Sequence, residues 1–219
     1  MRPEKPDQAV QRQNGDQRVM LVPAGEYQVA TKPTQFDSEP VLWPQKIQVQ
    51  PGEPVAIKLD SGVRLDIAKD LGPLFQWWLV RPEKPDQAVQ RQNGDQRVML
   101  VPAGEYQVTT KPTLFDSQPV LWPQKIQVQP GQPLTFKASS GVRMIGPPGA
   151  GTGFDYQILN DQNKNAQSGL QTWNTQALPP GTYSLQMRRQ FGQWKTVVEQ
   201  IHVSEGQIAE VHVSQLPPP

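Results

Sequence analysis

Two histidines, His202 and His212, are the only imidazoles in the chain, and a metal centre or a general base is the first chemistry to weigh. Each sits between apolar neighbours in an alternating stretch, Ile201-His202-Val203 and Val211-His212-Val213. A strand that turns those neighbours to a core turns both imidazoles to solvent. A metal would need further ligands, and only Glu199, Glu205 and Glu210 lie near in sequence, so no metal site is expected. Paired carboxylates for general acid and base work need one member buried and raised. Glu4, Asp7, Asp16, Glu26 and Asp37, with their later counterparts, occupy polar turns or stand beside Lys, and read as solvated. GPPGAGTG at 146–153 has glycines but no following Lys-Ser/Thr, so it reads as a linker and not as a phosphate cradle. With no cysteine there is no thiolate nucleophile, thiolate ligand or disulfide. The expectation is a non-enzyme with no catalytic residue and no cofactor.

Aromatic side chains are the stronger candidates for binding. Trp43 and Trp122 share strand parity with Val41, Ile47 and Val49 and with Val120, Ile126 and Val128, which points them inward. Trp77 and Trp78 are adjacent and must face opposite sides of a strand, so Trp78 is a candidate contact, packed on a linker, a neighbouring module or a partner. Phe36 with Asp37, and Phe115 with Asp116, fall in long loops where an aromatic beside a carboxylate suits a protein or a sugar.

An internal repeat positions these residues. Arg2 to Arg64 recurs as Arg81 to Arg143 without insertion; residues 2–29 and 81–108 are identical, as are 41–52 and 120–131. The differences gather where EPVAIKLD at 53–60 becomes QPLTFKAS at 132–139, and the swaps Val55 to Leu134 and Ile57 to Phe136 keep apolar residues at every second position. A diverged third copy opens with FDYQIL at 154–159, set against FQWWLV at 75–80, and continues with LPPGTYSL at 178–185 and IHVSEGQ at 201–207. Because FQWWLV precedes the second copy and nothing like it precedes Arg2, copy one is expected to lack its first strand and to offer an open edge for weak self-association.

Period-2 alternation bounded by Pro, Gly, Asn and Asp, with 24 prolines against long helices, predicts an all-β chain of three tandem small Ig-like or transthyretin-like antiparallel β-sandwich modules. The expected divisions are repeat 1 at 1–66, a linker at 67–74, repeat 2 at 75–145, a Gly/Pro linker at 146–153 and repeat 3 at 154–219. One exception to strand is expected, a turn or two of helix in LDIAKDLG at 65–72, which has helical residue types and a closing glycine. VPAGEYQV, LPPGTYSL and the IQVQPGEP, IQVQPGQP and IHVSEGQ stretches resemble bacterial extracytoplasmic modules of the PEGA and carboxypeptidase-regulatory-like (transthyretin-like) type. The long loops at 35–45 and 114–124 depart from that pattern. The resemblance implies a spacer, adhesion unit or adaptor.

A formal charge of +1, from 21 basic and 20 acidic residues, gives no electrostatic footprint for nucleic acid or an anionic membrane surface. No apolar stretch is long enough to span a bilayer, and any signal or anchor is expected outside this sequence. Two functions fit: a structural or protein-interaction array of an exported protein, periplasmic or extracellular, whose partner is another protein or other domains of its own, or a set of carbohydrate-binding modules using exposed aromatics. Near-exact duplication adds reach or avidity to a binder and does little for a catalyst.

Overall fold

The computed structural model describes residues 11–12, 19–32, 40–112, 118–149, 153–162, 164–170, 173, 175–189 and 192–217. Its described residues form sixteen strands and no helix. Copy one contributes β1 (Gly25–Thr31) and β2 (Val41–Val49). There follow β3 (Gly62–Ile67), β4 (Gln76–Arg81), β5 (Lys84–Asn93), β6 (Val98–Leu100), β7 (Gly104–Lys111), β8 (Val120–Val128) and β9 (Pro133–Ala138). The last group is β10 (Gly141–Ile145), β11 (Phe154–Asn160), β12 (Asn165–Leu170), β13 (Thr175–Ala177), β14 (Gly181–Arg189), β15 (Lys195–Val203) and β16 (Ile208–His212).

Strands β3 to β9 build a four-stranded sheet in the order β5-β4-β7-β8 and a three-stranded sheet in the order β6-β3-β9. Strands β10 to β16 repeat the plan as β12-β11-β14-β15 and β13-β10-β16. In the first unit Trp77, Leu79, Tyr106, Val108, Trp122 and Val128 of the larger sheet share one core with Val63, Leu65, Met99, Phe136 and Ala138 of the smaller. Face-to-face packing of two sheets, each with its apolar residues on one side, is a β-sandwich. The units are not purely antiparallel: β3 runs parallel to β9 and β10 parallel to β16, because the chain crosses between the two sheets before its last strand returns beside its first.

The pairing also revises the organisation read from sequence. Gly62–Ile67 belongs to the sheet of the second copy and Gly141–Ile145 to that of the third, so each sandwich begins ahead of the division expected at 75 or 154. The stretch 65–72 is strand and turn rather than helix. Val63 and Leu65 are buried while Arg64 and Asp66 are exposed, and this period-2 burial against Phe136 outweighs helical residue types. The same tetrapeptide, Ser-Gly-Val-Arg, starts both units at 61–64 and 140–143. The Ser61 hydroxyl donates to the Val101 carbonyl at 2.7 Å and that of Ser140 to the Leu178 carbonyl at 2.8 Å. A Cβ on Gly62 or Gly141 would overlap the Met99 or Gln176 carbonyl oxygen, so only glycine lets the neighbouring strand come that close.

One local device recurs in all three copies. In Pro-x-Gly-x-Tyr, the hydroxyls of Tyr27, Tyr106 and Tyr183 donate to the carbonyls of Pro23, Pro102 and Pro179 at 2.7, 2.9 and 2.8 Å. Each tyrosine ring lies over the glycine two residues before it, where a Cβ would stand 3.3–3.5 Å from the nearest ring atom. The corner pins the entry to β1, β7 and β14 much as tyrosine corners do in Greek-key sandwiches.

Burial raises the Tyr106 hydroxyl above its usual value against the opposing charge of Arg81; it pushes the Tyr183 hydroxyl up to about 12, with Asp161 adding in the same direction. The unfolded chain therefore loses the Tyr183 proton near pH 10 while the folded one keeps it to about 12. Stability from this group is complete below pH 10 and is lost as pH rises through that window. Alkaline denaturation should show that loss, and Tyr183→Phe should show a shallower slope between pH 10 and 12 together with a cost of about 1 kcal/mol at neutral pH from the lost hydrogen bond.

Candidate functional site

Strand placement first settles the polar candidates. His202 and His212 are exposed, each between buried aliphatic neighbours, and the His202 Nδ1 lies 3.1 Å from the Thr182 hydroxyl. Among the described residues no three His, Asp or Glu side chains gather in a way that could hold a metal ion. The described ion pairs are cross-strand struts. Lys46–Glu26 and Lys125–Glu105 occupy identical positions in copies one and two, at 3.0 and 3.1 Å. Arg143–Glu210 ties β10 to β16, and Arg188–Asp155 ties β14 to β11, with the Arg188 guanidinium also stacked 4.5 Å from the centre of the Trp194 ring. Glycine 146 of the Gly/Pro stretch lies against the Trp173 indole, so this part of the loop packs on a ring.

The aromatic candidates divide. Phe36, Asp37, Phe115 and Asp116 lie outside the described residues. Trp78 does lie on the face of its sheet opposite Trp77, but it is only 8% exposed, with Arg91 5.1 Å from its ring centre. It is covered rather than presented. Trp43 and Trp122 point inward as expected, and their indole N–H groups donate to Thr31 and Thr110 at 3.0 and 3.1 Å. Four of the six tryptophans are thus closed to a sugar ring.

The exposed apolar surface lies instead in copy one, where identical sequence meets a different environment. β1 and β2 pair in the same register as β7 and β8, Gly25 opposite Val49 and Gly104 opposite Val128, with the same irregularity after Gln28 and Gln107. Yet β1–β2 is a two-stranded sheet, whereas β7 holds β4 on its other side. Among the described residues nothing in copy one takes the place of β3 and β4. Met20 is 44% exposed where its twin Met99 is fully buried, and Val19 and Leu21 stand 72% and 82% exposed. Val22, Val29, Ile47 and Val49 are half-buried where Val101, Val108, Ile126 and Val128 are buried. Residues 54–59 alternate like β9 but form no strand, because the parallel partner that β3 gives to β9 has no counterpart there. Sequence reasoning anticipated an open edge. It missed that two strands are involved and that the consequence extends to 19–22 and 54–59.

The chemistry of this surface is that of an unfilled sandwich: an apolar face bordered by an unoccupied strand edge, with Tyr27 and Trp43 already seated as its floor. Met99→Ala should cost about 2–5 kcal/mol in chemical denaturation because it empties a filled core, while Met20→Ala in the same flanking sequence should cost under about 0.5 kcal/mol.

No family model matches the chain, and no curated protein matches it. Among solved structures it is similar to the Bacillus anthracis TIE protein, with a TM-score of 0.27 and 16% identity over 90% of this chain and 43% of that one. The chain thus spans under half of that protein's length. The functional reading rests on the chain's own residues.

Proposed function

We propose that the chain is a non-catalytic, load-bearing spacer and protein-interaction array of an exported bacterial protein, working in the periplasm or outside the cell. The observation that carries this reading is the parallel pairing of first and last strands in each complete sandwich, β3 with β9 and β10 with β16. Tension on the chain ends pulls β3 and β9 in opposite directions along their shared ladder. All the hydrogen bonds from Gly62–Pro133 to Ile67–Ala138 then share the load. Only Ser139 and Ser140 separate β9 from β10, so the two sandwiches are loaded in series.

The joint between them is also packed. Ala177 of the third copy belongs to the core cluster of the second, and Val120 of the second to that of the third. Such a joint suits a stiff spacer better than a flexible string. The repeated struts support the same reading: the duplicated residues make Tyr–Pro, Trp–Thr and Lys–Glu contacts that hold the framework. Export agrees with the resemblance to extracytoplasmic modules and with a chain that has no cysteine to depend on redox state.

Stretching the full chain from its two ends in a single-molecule force experiment tests this. Two high-force events are expected, the one from Gly62–Ala138 releasing about 25 nm of contour at roughly 3.4 Å per residue. The β1–β2 hairpin should yield at low force, since Gly25 and Val49 are paired neighbours and the ladder opens one bond at a time. Gradual extension of both sandwiches at low force would refute a load-bearing role.

A further inference from the structure

We infer that the open face of copy one is a receptor site for a two-strand segment of the Gly62–Arg81 type, supplied by another polypeptide of the same repeat class. The second copy shows what fits. Over residues 19–29 and 41–52 its sequence is that of copy one, letter for letter, at 98–108 and 120–131. In it the face built by Tyr106, Val108, Ile126 and Val128 is closed by Trp77 and Leu79 of β4 and by Val63 and Leu65 of β3. β4 lies along β7 with Trp77 opposite Thr110 and Leu79 opposite Val108; β3 lies between β6 and β9. The counterparts Val29 and Thr31 on β1, Met20, and Val55 and Ile57 therefore mark where an incoming pair would lie: one strand along β1 with two large apolar residues inward, the other between 19–21 and 54–59. Its pattern is Val-x-Leu in the first strand and Trp-x-Leu in the second.

The chain's own segment cannot fill this site in place. β3 follows residue 59 after two residues, and a parallel pairing of 62–67 with 54–59 needs a far longer crossover. Nor does a second copy of the chain satisfy it, because each chain carries one such segment and two acceptor faces, so exchange between chains leaves one face open per chain. The site stays open in any assembly built by that exchange and takes its segment from outside. This goes beyond the spacer reading and is independent of it: a chain that resists force but binds no such segment would sink this inference alone.

The experiment adds a synthetic peptide of residues 62–81 to the full chain and follows amide exchange. Fragments covering 24–32 and 53–60 are distinguishable from their twins by Ala30 and by the 53–60 differences. Saturable one-to-one binding should slow exchange at least about tenfold at Val55–Leu59 and Val29–Thr31, and leave 132–138 unchanged. A peptide carrying Asp at both inward positions of its second strand, Trp77→Asp with Leu79→Asp, should give no protection. Should the free peptide self-associate, the same segment joined ahead of Arg2 by its last residue gives the same readout, against the same double substitution. No protection, equal protection by the substituted peptide, protection confined to the second copy, or protection already present in a peptide-free dimer joined β1 to β1 would each overturn the inference.

Discussion

Each complete sandwich depends on a pair of strands that arrive before the repeated Arg-Pro-Glu-Lys-Pro stretch and enter both sheets at once. β4 takes the middle of the larger sheet and β3 the middle of the smaller. Between them they bring Val63, Leu65, Trp77 and Leu79, all essentially inaccessible to water. Burying each such side chain is worth roughly 1.5–3 kcal/mol, and the set also completes the ladders on either side. The protein contains its own control for this constraint, since copy one has the same hairpin sequence without the pair. There the neighbouring apolar residues are exposed and the final strand does not form.

The tyrosine corner behaves differently, and the contrast separates local from non-local causes. The Tyr27 hydroxyl reaches the Pro23 carbonyl four residues back as closely as Tyr106 and Tyr183 reach theirs, although copy one lacks a closed core. Contacts between residues four apart close at little entropic cost and need no distant partner. The β1–β2 ladder, its Lys46–Glu26 strut and the Trp43–Thr31 hydrogen bond survive for the same reason. What is lost in copy one is whatever depends on chain tens of residues away.

The all-β class, most strand positions, the solvent-facing histidines and the inward Trp43 and Trp122 were legible because alternation and turn residues are local signals. The starting point of each sandwich was not. A tandem repeat can be cut at any phase without changing its self-similarity, and the only local mark of the true start is Ser-Gly-Val-Arg, whose glycine matters because of a carbonyl far along the chain. The stretch Leu65–Gly72 was read as helix since Leu, Ala, Lys and Asp are tolerated there; Phe136, its packing partner, lies too far off in sequence to inform that reading. Trp78 was taken for a contact because a neighbour of an inward residue must point outward, but outward from one sheet face is not the same as exposed. Phe36, Asp37, Phe115 and Asp116 remain outside the described residues.

The central claim is that one sequence holds two states of burial because only the second copy receives the Gly62–Arg81 pair. Amide exchange of the isolated full chain measures this directly at the two segments where the copies differ, 55–59 and 134–138. Strong protection of 134–138 beside exchange near unfolded-chain rates at 55–59 is the result the account predicts; equal protection of both would contradict it.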